Sequence, residues 1–149
     1  MEAVIFIGIQ ASGKSTFYRE HFLDTHIRIN LDMLKTRHRE KLIFEACLEA
    51  KQNFVIDNTN PTLAERQRYI SAAKEHNFTI IAYYFFSDLE SCKQRNELRH
   101  IKQKIPVVGI ISTYKKLEKP SYKEGFDRIY TVKIDSNYSF IVEEYRNEI

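Results

Sequence analysis

Gly8-Ile9-Gln10-Ala11-Ser12-Gly13-Lys14-Ser15 follows the apolar run Ala3-Val-Ile-Phe-Ile7 and precedes the helix-like Thr16-Phe-Tyr-Arg-Glu20. An octet of the form Gly-x4-Gly-Lys-Ser between a buried strand and a helix reads as a phosphate-binding loop. Gly8 and Gly13 let the backbone curl, so that successive N–H groups through Gln10, Ala11 and Ser12 face phosphate oxygens. Lys14 then reaches the β- and γ-phosphates, Ser15 faces Mg²⁺, and Thr16 extends the same site. The expected ligand is a nucleoside triphosphate.

Working outward, the chain has 149 residues, 43% of them hydrophobic, which suits one domain over 1–149 with a real core. Met1 leads directly into the first strand, and no apolar stretch approaches the roughly 20 residues a membrane helix needs. No membrane partner and a cytoplasmic location are therefore expected. Cys47 and Cys92 lack CxxC or Cys/His spacing, as reduced core thiols would. The five histidines show no metal spacing, and a net charge of +3 permits a polyanionic partner without requiring one.

Short β-branched and aromatic runs alternate with stretches of helical periodicity, the pattern of βαβ units. The predicted fold is α/β, a five-stranded parallel sheet flanked by helices. Strands are placed at about Ala3 to Ile9, His26 to Ile29, Asn53 to Ile56, Thr79 to Phe86 and Arg128 to Ile134. The helix from about Thr36 to Lys51 carries Ile43, Ala46, Cys47 and Ala50 as a stripe toward the sheet, with Met33 and Phe44 read as core. The next helix starts at an Asn60 cap with Pro61 in its first turn, or at a Thr62 cap with Glu65 reaching back. Ser87 and Glu90 give the same Ser-x-x-Glu signature for the helix after Ile80–Phe86, a strand apolar enough to be buried on both faces. The tail from Ser136 to Ile149 reads as a final helix or a docking segment, with packing on the core favoured.

Parallel sheets place ligands at the carboxyl ends of their strands. The first strand ends in the phosphate loop, the second in Asn30-Leu-Asp32, and the third in Asp57-Asn-Thr-Asn60. Asp32 is either a base for an acceptor hydroxyl, a water-mediated magnesium contact, or a helix N-cap. Asp57 ends its strand as a Walker B carboxylate does and could hold magnesium, or it is a turn residue bonding its own backbone. The segment Cys92 to Lys104 holds five Lys and Arg residues and looks like a lid; the alternative is a solvated face. Arg95 and Arg99, four apart, could point both guanidinium groups at one triphosphate. A GTP-driven switch would need Asp-x-x-Gly after the third strand, where Asn60 stands in place of the glycine.

The chain resembles the 5′-hydroxyl polynucleotide kinases of phage and animal repair enzymes, within the P-loop kinase superfamily. The resemblance covers nearly the whole chain: Gly-x4-Gly-Lys-Ser-Thr16, Asn30-Leu-Asp32 where the family shows Asn-Arg-Asp, and Asp57-Asn-Thr-Asn-Pro61 followed by Arg68-Tyr69. It continues through Arg95-Asn-Glu-Leu-Arg99, Ile105-Pro106, Tyr114-Lys-Lys-Leu-Glu-Lys-Pro120 and Glu124-Gly-Phe126. It implies a P-loop kinase fold with a basic helical lid, using ATP and Mg²⁺ on nucleic-acid 5′-hydroxyl ends, DNA or RNA. By the same resemblance Asp32 is the general base, Arg99 the lid arginine on the transferring phosphate, and Asn58, Thr59 and Asn60 lie on the acceptor side. Lys35 matches an arginine that contacts the acceptor's 3′-phosphate in phage-type members; a lysine keeps the charge but loses the bidentate fork. Leu31 replaces the family's arginine before the base. No Asp-x-Asp-Gly-Thr motif is present, so no 3′-phosphatase activity is expected. The alternative is a P-loop kinase of a small metabolite or nucleotide-like acceptor, which shares the loop, sheet and arginine lid.

Overall fold

Along Glu2–Ile7 (β1) side chains alternate between two cores: Ala3, Ile5 and Ile7 enter one, Val4 and Phe6 the other. A strand apolar on both faces belongs at the centre of a parallel sheet, and there the computed structural model, which describes residues 1–101 and 103–146, places it. β1 pairs in parallel with Phe54–Ile56 (β3) and Thr79–Phe85 (β4). Ile27–Ile29 (β2) lies outside β3 and Arg128–Ile134 (β5) outside β4, both parallel.

Phe140–Glu144 (β6) then adds an antiparallel edge strand to β5. The sheet thus has six strands rather than the five expected, in the order β2-β3-β1-β4-β5-β6. The tail is a strand where a helix was one of two expectations. The cause is the turn before it: the Asp135 side chain accepts from the N–H groups of Asn137 and Ser139, and Tyr138 sits at φ 60°. The chain is thereby reversed into Phe-Ile-Val, a good strand sequence. The tail packs through Phe140, whose ring meets Phe17 edge-on at 5.1 Å. Residues 147–149 of that tail and Lys102 of the lid lie outside the described residues.

Helices cover both faces. Arg37–Ala50 (α3) and Leu63–Glu75 (α4) pack Phe44, Leu48, Tyr69 and Ile70 on Phe54 and Ile56, while Lys14–His21 (α1) packs Phe17 and Tyr18 on Phe6 and Phe85. The buried stripe of α3 is Glu40, Phe44, Cys47 and Leu48; Ala46 and Ala50 are exposed and Ile43 is half-buried. Turning the helix this way buries Phe and Leu instead of two alanines, the larger gain in apolar area. Met33, expected in the core, is 54% exposed. It belongs to the single-turn Leu31–Leu34 (α2), which has no buried residue. Thr62 caps α4 through the Glu65 N–H, so the helix begins after Pro61. The helix Leu89–Glu97 (α5) is capped by Asp88 rather than Ser87, because the Asp88 carboxylate takes both the N–H and the hydroxyl of Ser91 at 2.8 Å. Val107–Lys116 (α6) completes the lid side. Both cysteines are buried and unpaired. Among the described residues no helix is long and apolar enough to cross a membrane.

Candidate functional site at the carboxyl ends of the strands

The loop from Gly8 to Gly13 is shaped by close approach. A Cβ on Gly8 would lie 2.8 Å from the Phe85 Cβ, and Gly13 adopts φ 99° with Phe140 within 2.9 Å of a built Cβ. Only glycine meets both conditions cheaply. The loop is pinned by a donation from the Gly8 N–H to the Thr59 carbonyl, 3.0 Å. A small third core of Ile9, Ala11, Cys92 and Ile110 fastens it to α5 and α6. Gln10 donates from Nε2 to the Thr113 hydroxyl on α6, and its Oε1 is buried with no partner. Ser12 is buried, and Thr16 is exposed on the first turn of α1.

Lys14 spends its ammonium on the loop itself: Nζ donates to the carbonyls of Gly8 at 2.9 Å and Ile9 at 2.7 Å, and to Ser12 Oγ at 3.4 Å. Burial lowers its pKa to about 8, opposed first by the Asp57 carboxylate and more weakly by Asp32. A cation so placed is held among weak acceptors that a phosphate would outbid.

At the end of β2, Asn30 is the helix cap. Its Oδ1 accepts from the Met33 N–H at 2.9 Å, and its Nδ2 donates to the Asp57 carbonyl at 2.6 Å. Capping is thus removed from Asp32, which is exposed in the first turn of α2 and makes no side-chain hydrogen bond among the described residues. The Asp32 charge acts on both Lys14 and Arg99, favouring their protonated forms. Lys35 follows at the end of α2, exposed and with φ 74°, so the chain leaves the helix there.

Asn58, Thr59 and Asn60 are committed to the scaffold. Asn58 accepts from the Leu31 N–H and donates to Glu40, while Asn60, 4% exposed, donates to the Phe6 carbonyl at 2.7 Å. Thr59 is half-buried, with its carbonyl on Gly8. Their amides fix the spacing of β1, β2 and α3 around the loop.

The lid differs from a single basic helix face. Arg95 lies on α5 and donates from Nε to the Ala11 carbonyl at 2.7 Å, clamping the lid to the phosphate loop. Arg99 falls beyond the end of α5 and hydrogen-bonds back within its turn, to the Gln103 carbonyl at 3.4 Å, so the two guanidiniums are not stacked by helical spacing. The helix stops because the Asn96 side chain folds onto the backbone of Ile105, donating to its carbonyl at 2.7 Å and accepting from its N–H at 2.9 Å. Burial depresses the half-buried Arg99, and Asp32 is the first charge that counters it. Lys14, Asp32 and Arg99, from three separate elements, therefore share one electrostatic neighbourhood.

Ser15 and Asp57 also come together: Ser15 Oγ donates to Asp57 Oδ2 at 3.1 Å, and the Asp57 side chain is 1% exposed. A hydroxyl and a carboxylate are hard oxygen donors of the kind Mg²⁺ takes alongside phosphate oxygens. No cluster of three or more His, Cys, Asp or Glu residues fit for a metal occurs among the described residues. This donor set fits an ion arriving with a triphosphate. Reading strand ends missed Arg28, which joins Ser15 and Asp57 from the middle of β2. The Arg-x-Asn spacing, which puts Arg28 in β2 and Asn30 just past its end on one face of the extended chain, was the available signal.

A sequence model of the AAA domain family matches residues 4–108, most of the chain and all of the loop and lid helix. The chain belongs to this family. Its sheet order and loop are those of P-loop kinases. The chain is 32% identical over 136 residues to the bifunctional polynucleotide phosphatase/kinase of Schizosaccharomyces pombe, covering 88% of this chain and 33% of that protein. A protein of Acanthamoeba polyphaga mimivirus bearing the same name in provisional form is 36% identical over 138 residues, with the same coverage of 88% and 33%. The chain spans about a third of the length of these relatives. In three dimensions it is similar to Chaetomium thermophilum Kti12 in complex with ADP-AlF3, with a TM-score of 0.66 at 16% identity over 91% of this chain and 92% of that one. That likeness concerns the fold.

Proposed function

We propose that this chain transfers the γ-phosphate of ATP to the 5′-hydroxyl end of a nucleic acid. The observation that carries the reading is an exposed Asp32 carboxylate without capping duty, just beyond the strand end beside the phosphate loop, whose charge acts on both Lys14 and Arg99. The names of the two sequence relatives support the choice of acceptor.

On this reading the loop N–H groups and Lys14 hold the β- and γ-phosphates, and Ser15 and Asp57 would hold Mg²⁺, which would supply charge neutralisation to them. Asp32 accepts the proton of the 5′-hydroxyl as its oxygen bonds to the γ-phosphorus. The bond to the β–γ bridging oxygen breaks and ADP leaves. Arg99 meets the charge that develops on the equatorial oxygens. Lys35, exposed beyond Asp32, meets the acceptor's backbone phosphate.

The test is a panel of acceptors incubated with γ-labelled ATP: 5′-hydroxyl DNA and RNA of several lengths, nucleosides, and hydroxylated metabolites. Label on oligonucleotide 5′ ends is the expected result. Label on a small metabolite alone would replace this reading with that of a metabolite kinase.

A further inference from the structure

Arg28 stands on β2, an edge strand, and reaches over the end of β3. Its Nε donates to Asp57 Oδ2 at 2.8 Å and its terminal Nη2 to Ser15 Oγ at 2.9 Å. Ser15 in turn donates to the same Oδ2. The two protein oxygens suited to Mg²⁺ are thus bridged by one guanidinium. A serine hydroxyl has one proton and two lone pairs. With the proton on Asp57 and one lone pair taken by Arg28, one remains. An ion ligated there at the 2.0–2.1 Å that Mg²⁺ requires would lie against a like charge that draws on the same carboxylate. Arg28 is 28% exposed along its side chain and its guanidinium carbon lies 6.0 Å from the Tyr18 ring, so it has solvent and an aromatic face to withdraw toward. The phosphate loop and the β3 carboxylate need no cation on β2.

We propose that Arg28 is a specificity-determining residue of the donor site, competing with the divalent cation for the Ser15 hydroxyl and the Asp57 carboxylate, so that the cation is held only together with the triphosphate. The inference rests on the Mg²⁺–ATP reading of this site and is independent of the acceptor. It makes the protein blind to free Mg²⁺: the ion alone cannot repay the loss of the Arg28 pair, whereas the triphosphate adds its own oxygen ligands and displaces the guanidinium.

The experiment compares wild type with Arg28→Gln and Arg28→Lys in two readouts, thermal unfolding against MgCl2 without nucleotide and calorimetric ATP binding across a Mg²⁺ series. Wild type should show no thermal shift at low-millimolar MgCl2, while Arg28→Gln should shift upward. The Mg²⁺ needed for half-maximal ATP affinity should fall about tenfold in Arg28→Gln, the scale of one partly screened charge pair. Arg28→Lys, which keeps the charge but not the planar fork that reaches the two oxygens from separate nitrogens, should fall between and decides the matter if the Gln variant does not fold. Superimposable Mg²⁺ curves, or a higher Mg²⁺ requirement in the variants, would overturn the competition. Wild-type ATP affinity identical in EDTA and in Mg²⁺ would overturn the magnesium reading itself.

Discussion

Asp57 follows β3 directly and Asp32 lies in the first turn of α2 just past neighbouring β2, and the fold treats them oppositely. Asp57 is buried and takes hydrogen bonds from Ser15 and Arg28, whereas Asp32 is exposed and free of capping because Asn30 does that work. A base must be unencumbered at its carboxylate, which Asp32 is; the role proposed for it also requires that it lie near the reacting centre, and its charge acts on Lys14 and Arg99. Asp32→Asn keeps size and helix compatibility, so urea unfolding should match wild type within about 0.5 kcal/mol while phosphate transfer falls about 10²-fold or more. An active Asp32→Asn enzyme would remove it from the chemistry. Arg99→Ala should slow single-turnover transfer by about 10³-fold or more with a much smaller loss of ATP affinity. Arg95→Ala should act differently, loosening the lid from the Ala11 carbonyl and raising the apparent Kd for ATP, since its guanidinium is spent on the loop.

At the scale of elements, the loop and the sheet were readable in the sequence because their signals are local. The octet demands a strand before it and a helix after it, and Ile80–Phe86 is too apolar for anything but a central strand. The register of the lid was not readable. Arg95 and Arg99 stand four apart in sequence, but Asn96 hydrogen-bonds across to Ile105 and ends the helix between them, a contact over nine residues with no local pattern. β6 escaped for a like reason, since an edge strand exposed on one side lacks the apolar run that betrays a central one. It matters to the site, because Phe140 on β6 lies over Gly13 and against Phe17. Phe140→Ala should lower stability by about 2 kcal/mol, less than the 3–5 of a fully buried Phe, and weaken ATP binding by freeing the loop. Unchanged ATP affinity in a destabilised variant would confine Phe140 to packing.

At the scale of the whole molecule, one buried cation ties the turn after β3 to the chain's last third. Arg66 is 0% exposed and 58 residues from Glu124, to which Nη1 donates twice, at 3.0 and 2.9 Å; its Nε donates to the Asn60 carbonyl, and Nη2 to the carbonyls of Pro61 and Glu118. No sequence pattern announced this, because the partners lie in different elements and an arginine on a helix is ordinarily read as exposed. Glu124 also accepts from the Ser121 N–H, so its carboxylate closes the turn before β5. Glu124→Gln leaves a buried guanidinium with a neutral partner and should cost about 3 kcal/mol or more, read by urea unfolding. Buried ion pairs can often be exchanged for apolar side chains at no loss. Arg66→Met with Glu124→Leu should not recover here, because the carbonyls of Asn60 and Glu118 lose the Arg66 donor along with the salt bridge, while that of Pro61 keeps the Glu118 N–H at 2.7 Å, and each buried unpaired acceptor costs about 1–3 kcal/mol. A double variant as stable as wild type would mean that water or a small backbone shift serves those carbonyls as well as Arg66 does, and that the turn carrying Asn58 to Pro61 is held well enough by the bonds of Asn58, Thr59 and Asn60 to Glu40, Gly8 and Phe6.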